Sequence, residues 1–113
     1  PSGWLAGLRD PLVGQALARL HGAPAQAWSL EALAADIGAS RSVLAERFTQ
    51  VVGQPPMQYL TRWRMQLAAG LLSDGRLKVA AIARQVGYES EAAFSRAFKK
   101  IVGSAPTGWR LNA

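Results

Sequence analysis

One frame of small, apolar and turn-forming residues occurs twice in this chain, and the repeat restricts the fold more than any other feature. Leu33, Ala34, Ile37 and Gly38 match Ile82, Ala83, Val86 and Gly87 at an offset of 49 residues. From Ser40 onward the offset is 50, pairing Ser40 with Ser90, Leu44 with Phe94, Phe48 with Phe98 and Val52 with Val102. Gly53 with Gly103, Pro56 with Pro106 and Tyr59 with Trp109 continue the same register. The second copy therefore holds one more residue in its turn, Tyr88-Glu89 against Ala39. Each copy reads as a short helix, a tight turn and a serine-capped helix, because apolar residues recur at helical spacing and Gly or Pro interrupts them.

The rest of the chain follows the same rule, which predicts an all-α fold. Asp10-Pro11 opens a helix with a capping carboxylate and a proline whose missing N–H costs nothing there. Leu12, Val13, Ala16, Leu17 and Leu20 form its stripe, and Gly22 and Pro24 stop it. Ser29 caps a second helix with Leu30, Leu33, Ala34 and Ile37 inward, and Ser40 a third with Leu44, Phe48, Val51 and Val52 inward. Pro55-Pro56 opens a longer segment over residues 56–72, about 25 Å at helical rise, lined by Leu60, Trp63, Leu67, Ala68, Leu71 and Leu72. Ser73-Asp74-Gly75 breaks it, and Val79, Ile82, Ala83 and Val86 begin the second copy. Ser90 then caps a helix with Phe94, Phe98, Ile101 and Val102 inward, and Pro106 begins a last turn holding Trp109. Tyr59, Trp63 and Trp109 are expected in the core. Only a short loop separates the first helix from the next, so it forms no domain of its own.

A small residue, a glycine four positions later and a large apolar residue six beyond that define a helix-turn-helix unit. Ala34, Gly38 and Leu44 fit it, and Ala83, Gly87 and Phe94 fit it with the one-residue turn insertion. The alanine lets the helices approach, the glycine takes the left-handed turn and the apolar residue locks the second helix onto the first. The second helix of such a unit lies in the DNA major groove. With the apolar stripes inward, a step of about 100° per residue turns Ser42, Ala45, Glu46 and Thr49 outward in the first copy. The same arithmetic exposes Ala92, Ser95, Arg96 and Lys99 in the second. Ser42, Ala45, Glu46, Thr49, Ala92, Ser95 and Arg96 are the candidate base readers; Arg96 has the fork that grips guanine O6 and N7. Ser40, Arg41, Arg47, Ser90, Lys99 and Lys100 are the candidate phosphate contacts. A long helix between the units can set the two reading helices about one DNA turn, ~34 Å, apart in successive major grooves.

Charge supports a polyanionic partner by its placement. The net charge of +6 divides into −1 over residues 1–40, where Arg9 and Arg19 face Asp10, Glu31 and Asp36, and +7 over residues 41–113. A chain of 113 residues with 50% hydrophobic content can bury one modest core or two small ones. Without cysteine it has neither disulfide nor cysteine-based zinc site, which points to a reducing, cytoplasmic setting. His21 is the single histidine and carboxylates are not clustered, so no catalytic set, metal site or cofactor is expected. His21 falls near the first helix's C-terminus, where its charged form is expected to be favoured. No apolar run reaches the ~18 residues of a membrane span, and the N-terminus lacks the basic and apolar regions of a signal peptide. The alternative to DNA is a helical protein-interaction module whose basic face meets an acidic partner; Glu46 and Glu91 on or beside the reading faces speak for it.

The stretches SLEALAADIGASRSVLAERF, YLTRWRMQLAAGLL and IARQVGYESEAAFSRAFKKIVGSAPTGWR together resemble the C-terminal DNA-binding domain of the AraC/XylS family of bacterial transcription regulators. The resemblance covers residues 10–110 and is most specific in the last stretch. It implies a seven-helix domain with two helix-turn-helix units, about residues 30–53 and 79–103, joined by a long linker helix over 56–72. It also implies binding to double-stranded promoter DNA, contact with RNA polymerase and a nucleoid-associated location. A missing N-terminal sensor or dimerisation domain is implied as well, which suits a chain that starts at Pro1 and makes residues 1–9 a linker remnant. Arg96, in the pattern FSRAF, stands where the family often has a DNA-contacting arginine. Glu46 stands where the first unit usually offers a basic residue; an acid there accepts from cytosine N4 but repels phosphate. Arg64 matches a position read as structural, and Arg62 is open to either role.

Overall fold

A computed structural model of the chain describes residues 9–112, with side chains through Arg110. The expected linker remnant at residues 1–9 lies outside these residues except for Arg9. Among the described residues there are seven helices and no strand: α1 Pro11–Gly22, α2 Leu30–Asp36, α3 Arg41–Val52, α4 Pro56–Asp74, α5 Val79–Gln85, α6 Glu91–Val102 and α7 Pro106–Asn112. The linker helix runs two residues beyond the expected end at Leu72. Ser73 and Asp74 continue the turn, and it is Gly75, at φ +76°, that leaves it.

Side chains close the helix starts as expected. Asp10 accepts from the N–H groups of Leu12 and Val13 at 3.0 and 3.2 Å. Ser29, Ser40 and Ser90 accept from Ala32, Val43 and Ala93 at 3.0, 3.2 and 3.1 Å. Such caps contribute about 1 kcal/mol each. Lys78, which stands where the first copy has Ser29, makes no side-chain cap.

The chain divides into two compact units, residues 1–60 and 61–113, with the boundary inside α4. In the first, α1, α2 and α3 pack on one another. They bury Val13, Ala16, Leu17, Leu20, Leu33, Ala34, Leu44, Phe48 and Val52, together with Tyr59 and Leu60 of α4. In the second, Ile82, Ala83, Val86, Phe94 and Phe98 bury against Met65, Ala68 and Leu72. Met65 is a core position that the stripe over 56–72 omits. The expected inward residues Leu12, Leu30, Ile37, Val51, Ile101 and Val102 flank their stripes and are half-buried.

The sequence repeat is a repeat of bonds. Ala39 N–H donates to Ala34 O at 2.9 Å and Gly38 N–H to Ala35 O at 3.2 Å; Tyr88 N–H to Ala83 O and Gly87 N–H to Arg84 O follow at 2.8 and 3.1 Å. This paired closure of a helix end around a left-handed glycine, φ +71° at Gly38 and +97° at Gly87, turns the chain in both copies. Because Tyr88 takes the part of Ala39, the inserted residue is Glu89. Phe48 meets Tyr59 edge-on at 5.7 Å between ring centroids, and Phe98 meets Trp109 edge-on at 6.2 Å. Trp109 Nε1–H donates to Ala69 O at 3.3 Å, tying α7 to α4 within the second unit. Arg110 donates to Leu72 O and Leu77 O at 3.3 and 2.5 Å, satisfying one carbonyl in the last turn of α4 and one in the loop that follows it.

Candidate nucleic-acid interface

Each copy presents the face of its second helix opposite the core. On α3, Ser42, Glu46 and Thr49 are exposed and Ala45 is half-buried at the face's edge; on α6, Ala92, Arg96 and Lys99 are exposed and Ser95 is half-buried. The core side of α3 centres between Leu44, Phe48 and Val52, so the outward midline runs along Glu46 and includes Val43 and Gln50, both exposed. The base readers expected from the sequence leave these two out, because an inward stripe that includes Val51 puts the midline closer to Ala45.

The two faces differ in how their cations are held. Arg47 Nη2 lies 2.8 Å from both carboxylate oxygens of Asp10. Arg41 Nη1 lies 2.7 Å from Glu31 Oε1. Both arginines of α3 thus meet a carboxylate of their own unit. Arg96, Lys99 and Lys100 on α6 have no carboxylate at ion-pair distance among the described residues. Asp10 serves two purposes at once, capping α1 and holding a side chain of the candidate reading helix. Burial raises its carboxyl, but the Arg47 hydrogen bond and charge and the Leu12 and Val13 N–H groups outweigh it, so it sits below its ordinary value. The Arg41 hydrogen bond likewise holds Glu31 low.

His21 corrects an expectation. It does stand in the last turn of α1, but burial lowers its imidazole pKa, and its Nε2 lies 2.5 Å from the Tyr59 hydroxyl. Burial disfavours the imidazolium that the helix end was expected to favour. Arg64 is half-buried with its guanidinium carbon 6.0 Å from the Tyr88 ring centroid, and Tyr88 meets Phe94 edge-on at 5.8 Å. Arg64 is therefore part of the second unit's packing, as its position suggested, while Arg62 is exposed. No group of three or more His, Cys, Asp or Glu among the described residues is placed to hold a metal ion. No helix among them is long and apolar enough to cross a membrane.

Two short helix pairs, each closed by a left-handed glycine and each exposing the outer face of its second helix, define a double helix-turn-helix protein. A family profile described as a helix-turn-helix domain matches residues 33–112. A putative AraC-like transcription regulator of Streptomyces antibioticus is 52% identical over 109 residues, covering 96% of this chain and 36% of that protein. The C-terminal domain of AraT, a response regulator from Geobacillus stearothermophilus, superposes with a TM-score of 0.89 at 32% identity over 92% of this chain and 87% of that one. The DNA-binding domain of AdpA, a global transcriptional factor solved with a target DNA, superposes at 0.84 with 29% identity over 91% and 92%. The chain belongs to the AraC/XylS family. It spans about a third of the length of the Streptomyces relative.

Proposed function

We propose that residues 10–113 form the sequence-specific double-stranded DNA-binding module of a bacterial transcription regulator, with α3 and α6 lying in successive major grooves. The observation that carries this reading is the doubled frame: one set of caps, turn bonds and core aromatics holds two helices whose outer faces are mostly polar, and the second bears Arg96, Lys99 and Lys100. Ser42, Ala45, Glu46, Thr49, Ala92, Ser95 and Arg96 read bases, with Arg96 taking guanine and Glu46 accepting from cytosine N4. Ser40, Arg41, Arg47, Ser90, Lys99 and Lys100 meet phosphate; the first three belong to a face whose arginines must first leave Glu31 and Asp10. The setting is promoter DNA in the cytoplasm, with RNA polymerase as the protein partner. Sensing and oligomerisation belong to the two thirds of such a regulator that this sequence does not span.

Fluorescence anisotropy of this chain with a pool of genomic duplexes over a salt series tests the reading. The expected result is binding at low salt that weakens linearly in log salt and leaves a preferred subset of sequences bound. Absence of duplex binding at low salt would overturn it.

A further inference from the structure

Among the described residues one large apolar side chain stands exposed: Val43, at 47%. A single exposed valine is ordinary on a protein surface, and its exposure alone signifies nothing. Its place does. Val43 is the third residue of α3, in the first turn of the helix assigned to the first reading unit, and it lies one turn before Glu46 and Arg47 on the same side. The N-terminal residues of a reading helix are those that approach base edges. Ser40 Oγ accepts the Val43 N–H at 3.2 Å, which fixes the backbone there. A β-branched side chain on a helix has one strongly preferred χ1 rotamer, so little freedom is left to lose on contact.

Apolar contact in the major groove has one target, the 5-methyl group of thymine. We infer that Val43 is a further specificity-determining residue of the first unit, recognising a thymine through its 5-methyl group. Glu46 and Arg47 lie beside it as polar neighbours. The second unit lacks this reader, since its counterpart at the offset of 50 is Ala93, smaller and half-buried. The inference rests on the DNA-binding reading above.

Deoxyuridine tests it by removing that methyl group and nothing else. In a duplex selected from a random pool, each thymine is replaced in turn by deoxyuridine, and affinity is measured for the wild-type chain and for Val43→Ala. Circular dichroism checks that the variant folds, and an exposed helical alanine is expected to leave the fold intact. At one thymine the wild-type chain should lose about four-fold in affinity, the worth of one buried methyl-sized group. Val43→Ala should bind the thymine duplex more weakly by a similar factor and lose nothing more with deoxyuridine at that position. Indifference of the wild-type chain to every replacement, or equal sensitivity of chain and variant, overturns the assignment while leaving DNA binding in place. Absence of binding to any duplex overturns both.

Discussion

On the proposed reading, Arg96 is the side chain on which base choice depends most. It is exposed at the middle of the α6 face and has no carboxylate at ion-pair distance among the described residues, so its fork is available to a guanine. Arg96→Ala should cost about 1–3 kcal/mol on the preferred duplex and relax selection at one base pair, measured by anisotropy on single-base variants of the site. Equal loss on random DNA would reassign it to phosphate. Two other residues set the acid limits of the fold. His21 is held below its ordinary value of 6.5 by burial, so the unfolded chain binds more protons than the folded one just below that pH. Stability should therefore be full above about pH 6.5 and fall as the pH drops toward the folded value. Thermal melts of His21→Gln should show that limb flattened. Asp10 lies below its ordinary 3.8, so its contribution is present above that value and is lost only as the pH falls through the lower folded one. Asp10→Asn should shrink this second, more acidic limb, which Glu31 shares, and leave the first.

Turns and caps decide where each helix begins and ends. Gly103 closes α6 at φ +101°, and a Cβ placed there would meet nothing within 4 Å. The cost of a side chain at that point is backbone strain alone. Gly103→Ala should thus destabilise the chain by about 1–2 kcal/mol in a denaturant titration, without the larger loss that a clash adds. Phe98 sets a contrast, since it is fully buried and touches both Phe94, at 5.6 Å, and Trp109. Phe98→Ala should cost about 3–5 kcal/mol, and a loss under about 1 kcal/mol would mean that the Phe94 and Trp109 rings collapse into its place.

The two units share a frame and differ in charge. α6 offers Arg96, Lys99 and Lys100 where α3 offers Glu46 and two arginines already paired with Asp10 and Glu31. On the proposed reading, DNA phosphate must displace a carboxylate to reach Arg41 or Arg47 and displaces only water and salt to reach Lys99 or Lys100. Replacing Lys99 and Lys100 by alanine should therefore lower the salt slope of binding by close to two, about one for each phosphate contact. The matching pair Arg41→Ala and Arg47→Ala should lower it by less. Footprints should show stronger protection over the half-site of the second unit; equal protection and equal sensitivity in both would end this division of labour.

Periodicity and punctuation make the helices legible in the sequence, because a core stripe, a capping serine and a left-handed glycine are local requirements that one residue type meets best. The repeat made the double helix-turn-helix legible for the same reason: Ala34, Gly38 and Leu44 answer one geometric demand, and Ala83, Gly87 and Phe94 answer it again. Partners remote in sequence were not legible. Nothing local ties Asp10 to Arg47 or His21 to Tyr59, separated by 37 and 38 residues, yet the first contact pairs an α3 cation, and the burial of His21 lowers its imidazole pKa. The exposure of Val43 is of the same kind. A helix's own spacing gives the order of residues around it, whereas the rotation that puts Val43 in the open and Ala45 at the edge is set by how α1 and α2 pack against α3.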